Sequence, residues 1–550
     1  MLNFLRQHKY IPVSSIFFVI LALALIINSG YKQCLEGVCQ YYFAEWQMHD
    51  SLWHISLAKL AFGSYPFSNP FYAGATLAGY NYFIDLVLYG IQWFGINAVA
   101  GYFFFLPILA VFIYLHSTWL YLKEVCSSNF ERFLATFFLY FGTSLSYLLT
   151  LYTDHSISGA TLRGFPVVTS LHPPSMLLNL PYAFSLPIIL YTLIYLAKRH
   201  RPANIIYLLI LVFLAFGLKF YAGVVVVLVV LINSPAKLLV TRIFVVGLAS
   251  LLAYTLFYRG GTIGIPFAFD PLALVHVVID DVHLFYNHSL TLARYHLYEN
   301  ITALPLRLIA IEAITVFAFF FINWGTRIIG YIVGLTSKNM GRQTKSMLIL
   351  SLFLGLIPVL FVQKGGWYNT MQFMYYSTLL LSLATAKVIS QLSLTKPRFA
   401  LVLALLIALP LLPTSLEQLT YYVRPKNVVS TDELKALETL RSMPPGTVHV
   451  NRPWAKRALI PVFAEKQMYY LDEDQLMLML PSHTERLDLV RKYQGGSINQ
   501  IPADYYVIYK NEVASEDSVR TLNSNPNLLT IYNSDQIIIY AHRGSDVTIN

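Results

Sequence analysis

The chain has 550 residues, of which 56% are hydrophobic and only 12% are charged. An average soluble domain has roughly 25% charged residues, so this composition excludes a soluble protein and indicates a polytopic membrane protein. The net charge of +10 is explained by cations beside the apolar segments, and it gives no reason to expect a nucleic-acid partner.

Apolar segments along the chain predict about eleven membrane segments, all of them helices. The first, residues 11–30, contains no charged residue and is long enough to cross a hydrocarbon core of ~30 Å. It lacks the short apolar region and small-residue cleavage site of a signal peptide, so we predict an uncleaved span. The others lie at about residues 98–122, 133–151, 177–197, 204–218, 220–233, 239–258, 306–323, 346–362, 371–386 and 399–416.

Lys and Arg residues between these segments fix the predicted orientation, because cytoplasmic connections carry an excess of cations. The clusters that include Arg6, Lys198, Arg199, Arg327 and Lys338 all fall on one side. That side is predicted to be the cytoplasm. The N-terminus is then cytoplasmic, and an odd number of crossings places the C-terminal residues outside the cell membrane.

The first outer loop, residues 31–97, contains Cys34 and Cys39, which an oxidising exterior would join in a small disulfide ring. Two free thiols are the alternative. Residues 49–62 and 81–94 have helical apolar spacing but are too polar to span, so we predict two helices lying in the membrane interface. Asp50 opens the first of them, and an N-cap role is the alternative to a chemical one.

Two further outer loops are long enough to be functional. Residues 152–175 carry Asp154, His155 and His172, and residues 259–305 begin with Arg259. For these histidines, as for His54, an ordinary interfacial side chain is the alternative to a site role.

The segments 204–218 and 220–233 are each too short to cross comfortably, yet cations flank the pair at both ends. A short hairpin that enters and returns on one side satisfies both facts, with Lys219 at its tip. A cation placed below the membrane surface is costly and therefore indicates a site. A lysine extending to the outer interface is the alternative.

The composition becomes that of a soluble domain beyond Arg424. We predict two domains, a transmembrane domain at 1–424 and a small extracytoplasmic α/β domain at 425–550. The second begins with a helix near 431–440 capped by Thr431 and continues with strands near 447–450, 505–509, 529–532 and 537–540. It contains no glycine-rich phosphate loop, so we expect it to support or recognise rather than catalyse.

This order of features resembles the membrane glycosyltransferases of the GT-C superfamily, which transfer a sugar from a polyprenyl-phosphate donor at the outer membrane face. Asp50, His54 and the run NPFYAG at residues 69–74 are similar to a first-loop pattern of a bacterial group within that superfamily. The segments LKFY at 218–221 and QFMY at 372–375 resemble later parts of the same group. Gln372 departs from the pattern, which has an arginine there. The likeness covers residues 1–424 in outline.

Sugar transfer needs a base for the attacking hydroxyl and compensation for the departing phosphate. Asp50 is the predicted base, with His54 one turn later as its orienting or acceptor-binding partner. Asp154 is a candidate second acid that binds acceptor or a divalent cation, Mg²⁺ or Mn²⁺. The remaining candidates are lipid-phosphate ligands, Lys219, Arg259 and Lys364, and residues that bind acceptor or donor, His155 and His172.

The sequence therefore predicts a membrane glycosyltransferase whose partners are a lipid-linked sugar donor, membrane lipids and a glycan, lipid or protein acceptor. Two other classes remain open. A secondary transporter also places charges within the membrane, but it usually shows paired repeats with matching broken helices. A noncatalytic scaffold would use the outer domain for partners and the membrane part as an anchor.

Overall fold

The computed structural model describes residues 9–44, 47–163, 168, 173–198, 205–260, 267–281, 284, 286–299, 306–336, 340–363, 367–423, 426–454, 458–480, 483–493, 495–512 and 515–543. They form two compact units. The helical unit comprises residues 1–25, 108–254 and 265–423, and the sheet unit comprises residues 26–107, 255–264 and 424–550. The predicted domains, 1–424 and 425–550, differ from this division because the first outer loop folds with the C-terminal residues.

Seven helices in the described part of the chain are long and apolar enough to cross a membrane. In chain order they are α4 (Ala98–Glu124), α8 (Leu180–Ala197), α11 (Ala236–Tyr258), α14 (Leu306–Thr336), α15 (Arg342–Leu360), α16 (Tyr368–Thr395) and α17 (Pro397–Thr420). Each coincides with a predicted segment. The shorter apolar helices are α1 (Tyr10–Ile26), α3 (Phe83–Gln92), α9 (Ile205–Leu218) and α10 (Phe220–Ile232).

The remaining helices are α2 (Met48–Leu60), α5 (Asn129–Phe141), α6 (Tyr147–Asp154), α7 (Pro173–Leu177), α12 (Ala273–Asp280), α13 (His288–Glu299), α18 (Thr431–Ser442), α19 (Glu473–Met479), α20 (His483–Lys492) and α21 (Ser515–Asn523). The strands are β1 (Tyr31–Leu35), β2 (Val38–Ala44), β3 (Phe267–Phe269), β4 (Phe361–Gln363), β5 (Lys426–Val429), β6 (Thr447–Val450), β7 (Gln467–Met468), β8 (Tyr505–Tyr509), β9 (Leu528–Asn533) and β10 (Ile537–His542).

The predicted span at 133–151 is not one helix, because α5 ends at Phe141 and α6 begins at Tyr147. A side chain at Gly142 would collide with the carbonyl oxygen of Phe138, so the helix stops at a residue without one. Arg327 donates hydrogen bonds to the carbonyls of Thr143 and Trp324 beside this break. The side chain of Arg327 is fully buried.

The sheet unit contains two sheets. In the first, β1 and β2 form an antiparallel hairpin and β2 pairs with β5, so the order is β1-β2-β5. Glu36 and Gly37 both have positive φ, as a two-residue type I′ turn requires. The turn places Cys34 opposite Cys39, and the predicted disulfide is present.

The second sheet has five strands in the order β7-β6-β8-β10-β9. β6 runs parallel to β7 and β8, while β10 runs antiparallel to β8 and β9. Every residue of β8 is buried, and α18 and α21 pack on this sheet. The predicted strands are therefore present, but the cap of α18 is Ser430, whose hydroxyl accepts a hydrogen bond from the Glu433 amide.

Candidate functional site

Asp50 lies in the first turn of α2 and is partly buried. The helix begins at Met48 after Gln47, so Asp50 is not its N-cap. A carboxylate in the first turn still interacts favourably with the positive end of the helix dipole. Residues 51–58 are all buried, so α2 is packed on all its faces within the protein and not along one apolar face alone. Asp50 is therefore carried by a helix that is packed inside the sheet unit.

His54, one turn after Asp50, is only 1% exposed. Its Nδ1 lies 2.6 Å from Oδ1 of Asp85 on α3, and the two atoms share a hydrogen bond. Burial raises the pKa of the Asp85 carboxyl, while the charge of His54 and this hydrogen bond oppose the increase. The sequence predicted His54 as the partner of Asp50, and it gave no signal for Asp85, which is 31 positions away.

Tyr80 lies close enough to Asp50 and Asp85 for the charges of both carboxylates to affect its pKa. Its ring packs against Trp53 and His54, and the backbone amide donates to the Phe257 carbonyl. Burial, followed by the negative charges of Asp85 and Asp50, raises the pKa of Tyr80 well above its ordinary value. The phenol therefore stays protonated near neutral pH and can donate a hydrogen bond within this cluster.

The NPFYAG run at 69–74 forms a fixed turn beside α2. The Asn69 side chain accepts a hydrogen bond from the Phe71 amide, and Phe71 packs edge-on against Trp53. Pro70, Phe71 and Ala73 exchange backbone hydrogen bonds with Met468 and Leu471, at distances between 2.8 and 3.0 Å. The turn is thus hydrogen-bonded to the backbone of β7 and of Leu471 just after it, a contact that the sequence did not predict.

Two further contacts connect the C-terminal residues to the same part of the unit. The guanidinium of Arg486 lies 4.0 Å from the ring centre of Tyr72 and stacks on it. Lys59, in the last turn of α2, forms an ion pair of 2.9 Å with Glu465. The C-terminal part of the chain therefore supports the helix that carries Asp50 and the turn beside it.

Arg259 also belongs to the sheet unit, where it is exposed in the turn after α11. Asp154 and His155 belong to the helical unit, at the end of α6. Asp154 pairs with Arg163 at 3.3 Å, and His155 is exposed with a left-handed backbone. His172 and Lys364 lie outside the described residues.

Lys219 is the single residue between α9 and α10, so the break occurs where the sequence predicts it. The side chain is 8% exposed and its Nζ donates a hydrogen bond of 3.0 Å to Oδ1 of Asn179. The same oxygen caps α8 by accepting from the Tyr182 amide. The amine is held inside the helical unit, which excludes a lysine extended into bulk solvent.

No family model matches the chain, and no curated protein matches it in sequence. Among solved structures, the archaeal oligosaccharyltransferase AglB from Archaeoglobus fulgidus, in complex with an inhibitory peptide and a dolichol-phosphate, superposes with a TM-score of 0.50 at 12% identity. The match covers 99% of this chain and 75% of that one. The chain has the GT-C fold. The sequence-based expectation of this fold is therefore confirmed.

Two other structures of the A. fulgidus enzyme are similar. One, tethered to an acceptor peptide with an NVT sequon, has a TM-score of 0.48 at 13% identity over 99% of this chain and 75% of its own. Another, in complex with Zn and sulfate, has a TM-score of 0.46 at 15% identity over 97% of this chain and 74% of its own. Together with the seven apolar helices, the GT-C fold makes the protein a multi-pass membrane protein.

Proposed function

We propose that the protein is a GT-C glycosyltransferase that transfers a sugar from a polyprenyl-phosphate-linked donor to an acceptor at the extracytoplasmic face. The observation that carries this proposal is Asp50, a partly buried carboxylate in the first turn of a helix held on all sides. The archaeal neighbour was solved with a dolichol-phosphate, which belongs to the same chemical class as the proposed carrier.

Asp50 accepts the proton of the attacking acceptor hydroxyl in this proposal. The His54–Asp85 pair is buried, so its role is to fix Tyr80 and the helix that carries Asp50 rather than to bind acceptor. The departing lipid phosphate needs cations beside it to compensate its negative charge. Lys219, Arg259 and Lys364 are the proposed cations.

Asp154, with His155 and His172, forms the proposed acceptor- or donor-binding group. The described residues contain no group of three or more His, Cys, Asp and Glu side chains that could hold a metal ion. No reaction step is therefore assigned to a metal. A Mg²⁺ or Mn²⁺ ion at Asp154 stays a proposal, which loss of transfer with EDTA and recovery with either ion would support.

The proposed topology has about eleven membrane segments, a cytoplasmic N-terminus and an extracytoplasmic C-terminal domain. Single cysteines at Ser442 and Ser337, in a background lacking Cys126, should react with an impermeant maleimide from outside and inside respectively. Labelling of Ser337 from outside would refute the orientation and the face assigned to the reaction.

The function is tested with the full chain in lipid nanodiscs, offered polyprenyl-phosphate hexoses and pentoses one at a time. Membrane lipids, glycans and peptides are supplied as acceptors. Mass spectrometry measures release of free polyprenyl phosphate and the mass gain of the acceptor. Turnover of at least one donor supports the proposal, whereas binding of donors without release from any of them points to a transporter or scaffold.

A further inference from the structure

Glu417 is a carboxylate in the last apolar helix, α17, and is only 2% exposed. Its Oε1 accepts hydrogen bonds from the Gly159 amide at 2.6 Å and the Thr420 hydroxyl at 2.9 Å. Its Oε2 accepts from the amide of Thr161 at 2.9 Å and from the hydroxyl of the same residue. A buried carboxylate is costly unless such donors surround it, so these contacts explain how the residue is tolerated.

The donors from outside α17 all belong to one short turn. Gly159 has a φ of 85°, a conformation that favours glycine, and presents its amide to Oε1. Ala160 is fully buried between the two bonded residues, and its carbonyl accepts a hydrogen bond from the Ser146 hydroxyl. Three consecutive residues of this turn are thus fixed by side chains from other parts of the helical unit.

This turn is the tip of the loop that carries two of the candidate site residues. Asp154 ends α6 at one base of the loop, and Arg163 stands at the other. Arg163 bridges the bases through the Asp154 carboxylate at 3.3 Å and the Thr153 hydroxyl at 2.7 Å. Glu417 holds the tip, and the arginine closes the base.

We propose that Glu417 is a positioning residue, which holds the 154–163 loop so that Asp154 and His155 are presented to the sugar or its acceptor. This inference rests on the proposed function. Glu417 does not touch substrate in this scheme. It acts through the backbone of Gly159 and Thr161, because hydrogen bonds to a charged acceptor in a buried site are stronger than neutral ones.

Glu417→Gln keeps the size of the side chain but replaces one acceptor oxygen with an NH₂ group that faces donors. We expect amide hydrogen exchange in residues 155–163 to accelerate by about ten- to a hundredfold in the full chain in nanodiscs. Thr161→Val removes only the hydroxyl, which contacts Glu417 and the Thr414 carbonyl, and it should accelerate exchange in the same peptide by about three- to tenfold. It keeps the test available if Glu417→Gln does not fold.

Glu131→Gln is the matched control. Glu131 is also 2% exposed and accepts hydrogen bonds from the amide and hydroxyl of Ser127 and from the Lys387 amine, but it lies near the beginning of α5. It should leave exchange at 155–163 within about twofold of the wild-type rate. Unchanged exchange in Glu417→Gln, or an equal increase in the control, would overturn the anchoring role.

A second readout separates positioning from stability. At a temperature where both Gln variants are fully folded, Glu417→Gln should lower kcat/KM for acceptor by at least about tenfold and leave binding of polyprenyl phosphate unchanged. Faster exchange with wild-type kcat/KM would overturn the link to the reaction. No transfer by the wild-type chain, with exchange still altered in Glu417→Gln, means instead that the proposed function has failed.

Discussion

The two compact units hold their candidate site residues in different ways. In the sheet unit, Asp50 lies on a continuous helix whose next two turns are buried, and residues distant in sequence support it. In the helical unit, Asp154 and Lys219 lie where helices end, held by Arg163 and Asn179. We infer that substitutions at Asp50 change the chemistry without changing the fold, whereas substitutions at the helix ends also change local geometry.

The largest effect is expected at Asp50. Asp50→Asn keeps the size and the first-turn position but removes the basic carboxylate, so turnover should fall by about 10² to 10⁴. The melting temperature should stay within a few degrees of the wild-type value, because Asp50 is only partly buried. Near-normal transfer by this variant would exclude the base role.

A substitution at Lys219 tests how the helical unit holds its candidate site residues. Lys219→Met keeps the apolar stem and removes the charge, so the affinity for polyprenyl phosphate should weaken by about ten- to a hundredfold. Native mass spectrometry of titrated nanodiscs measures this affinity. Lys237→Met, at an exposed lysine of α11, is the control and should bind normally. Equal binding by both variants would place the phosphate elsewhere.

The disulfide should make a moderate contribution to stability, confined to the sheet unit. The ring it closes is small, so removal through paired Cys34→Ser and Cys39→Ser substitutions should lower the stability by about 2 kcal/mol or less. Thermal unfolding with and without reductant measures the difference. A reductant effect that persists in the double variant would show that the loss has another cause.

We expect the burial of His449 to make the stability of the sheet unit depend on pH, with a smaller effect than loss of the disulfide. The side chain is 1% exposed in β6, and burial lowers its pKa to about 3. An unfolded histidine has a pKa of about 6.5, so between these values only the unfolded chain binds the proton. Stability should therefore fall as the pH decreases below about 6.5, by at most about 1.4 kcal/mol per pH unit.

His449→Phe removes this titration and should flatten the dependence of the melting temperature on pH between 7 and about 4.5. A parallel dependence in the variant and the wild-type chain would show that other groups control acid unfolding.

Local patterns predicted the apolar helices, the break at Lys219 and the strand at 505–509, because each depends on neighbouring residues. They did not predict the His54–Asp85 pair or the Glu417 anchor, since single-sequence patterns carry no information on which distant residues meet. The β1–β2 hairpin had a local signal that was overlooked, the Glu36-Gly37 turn between two cysteines. The burial of α2 on all its faces also depends on tertiary packing, which its amphipathic pattern does not show.

The backbone hydrogen bonds between the 69–74 turn and residues 468–471 have a consequence for biosynthesis. Lys59 and its partner Glu465 are separated by 406 positions. The ribosome therefore synthesises all seven long apolar helices before the first outer loop can acquire these partners. Until then the apolar residues of this loop lack their final packing partners and are exposed to chaperones.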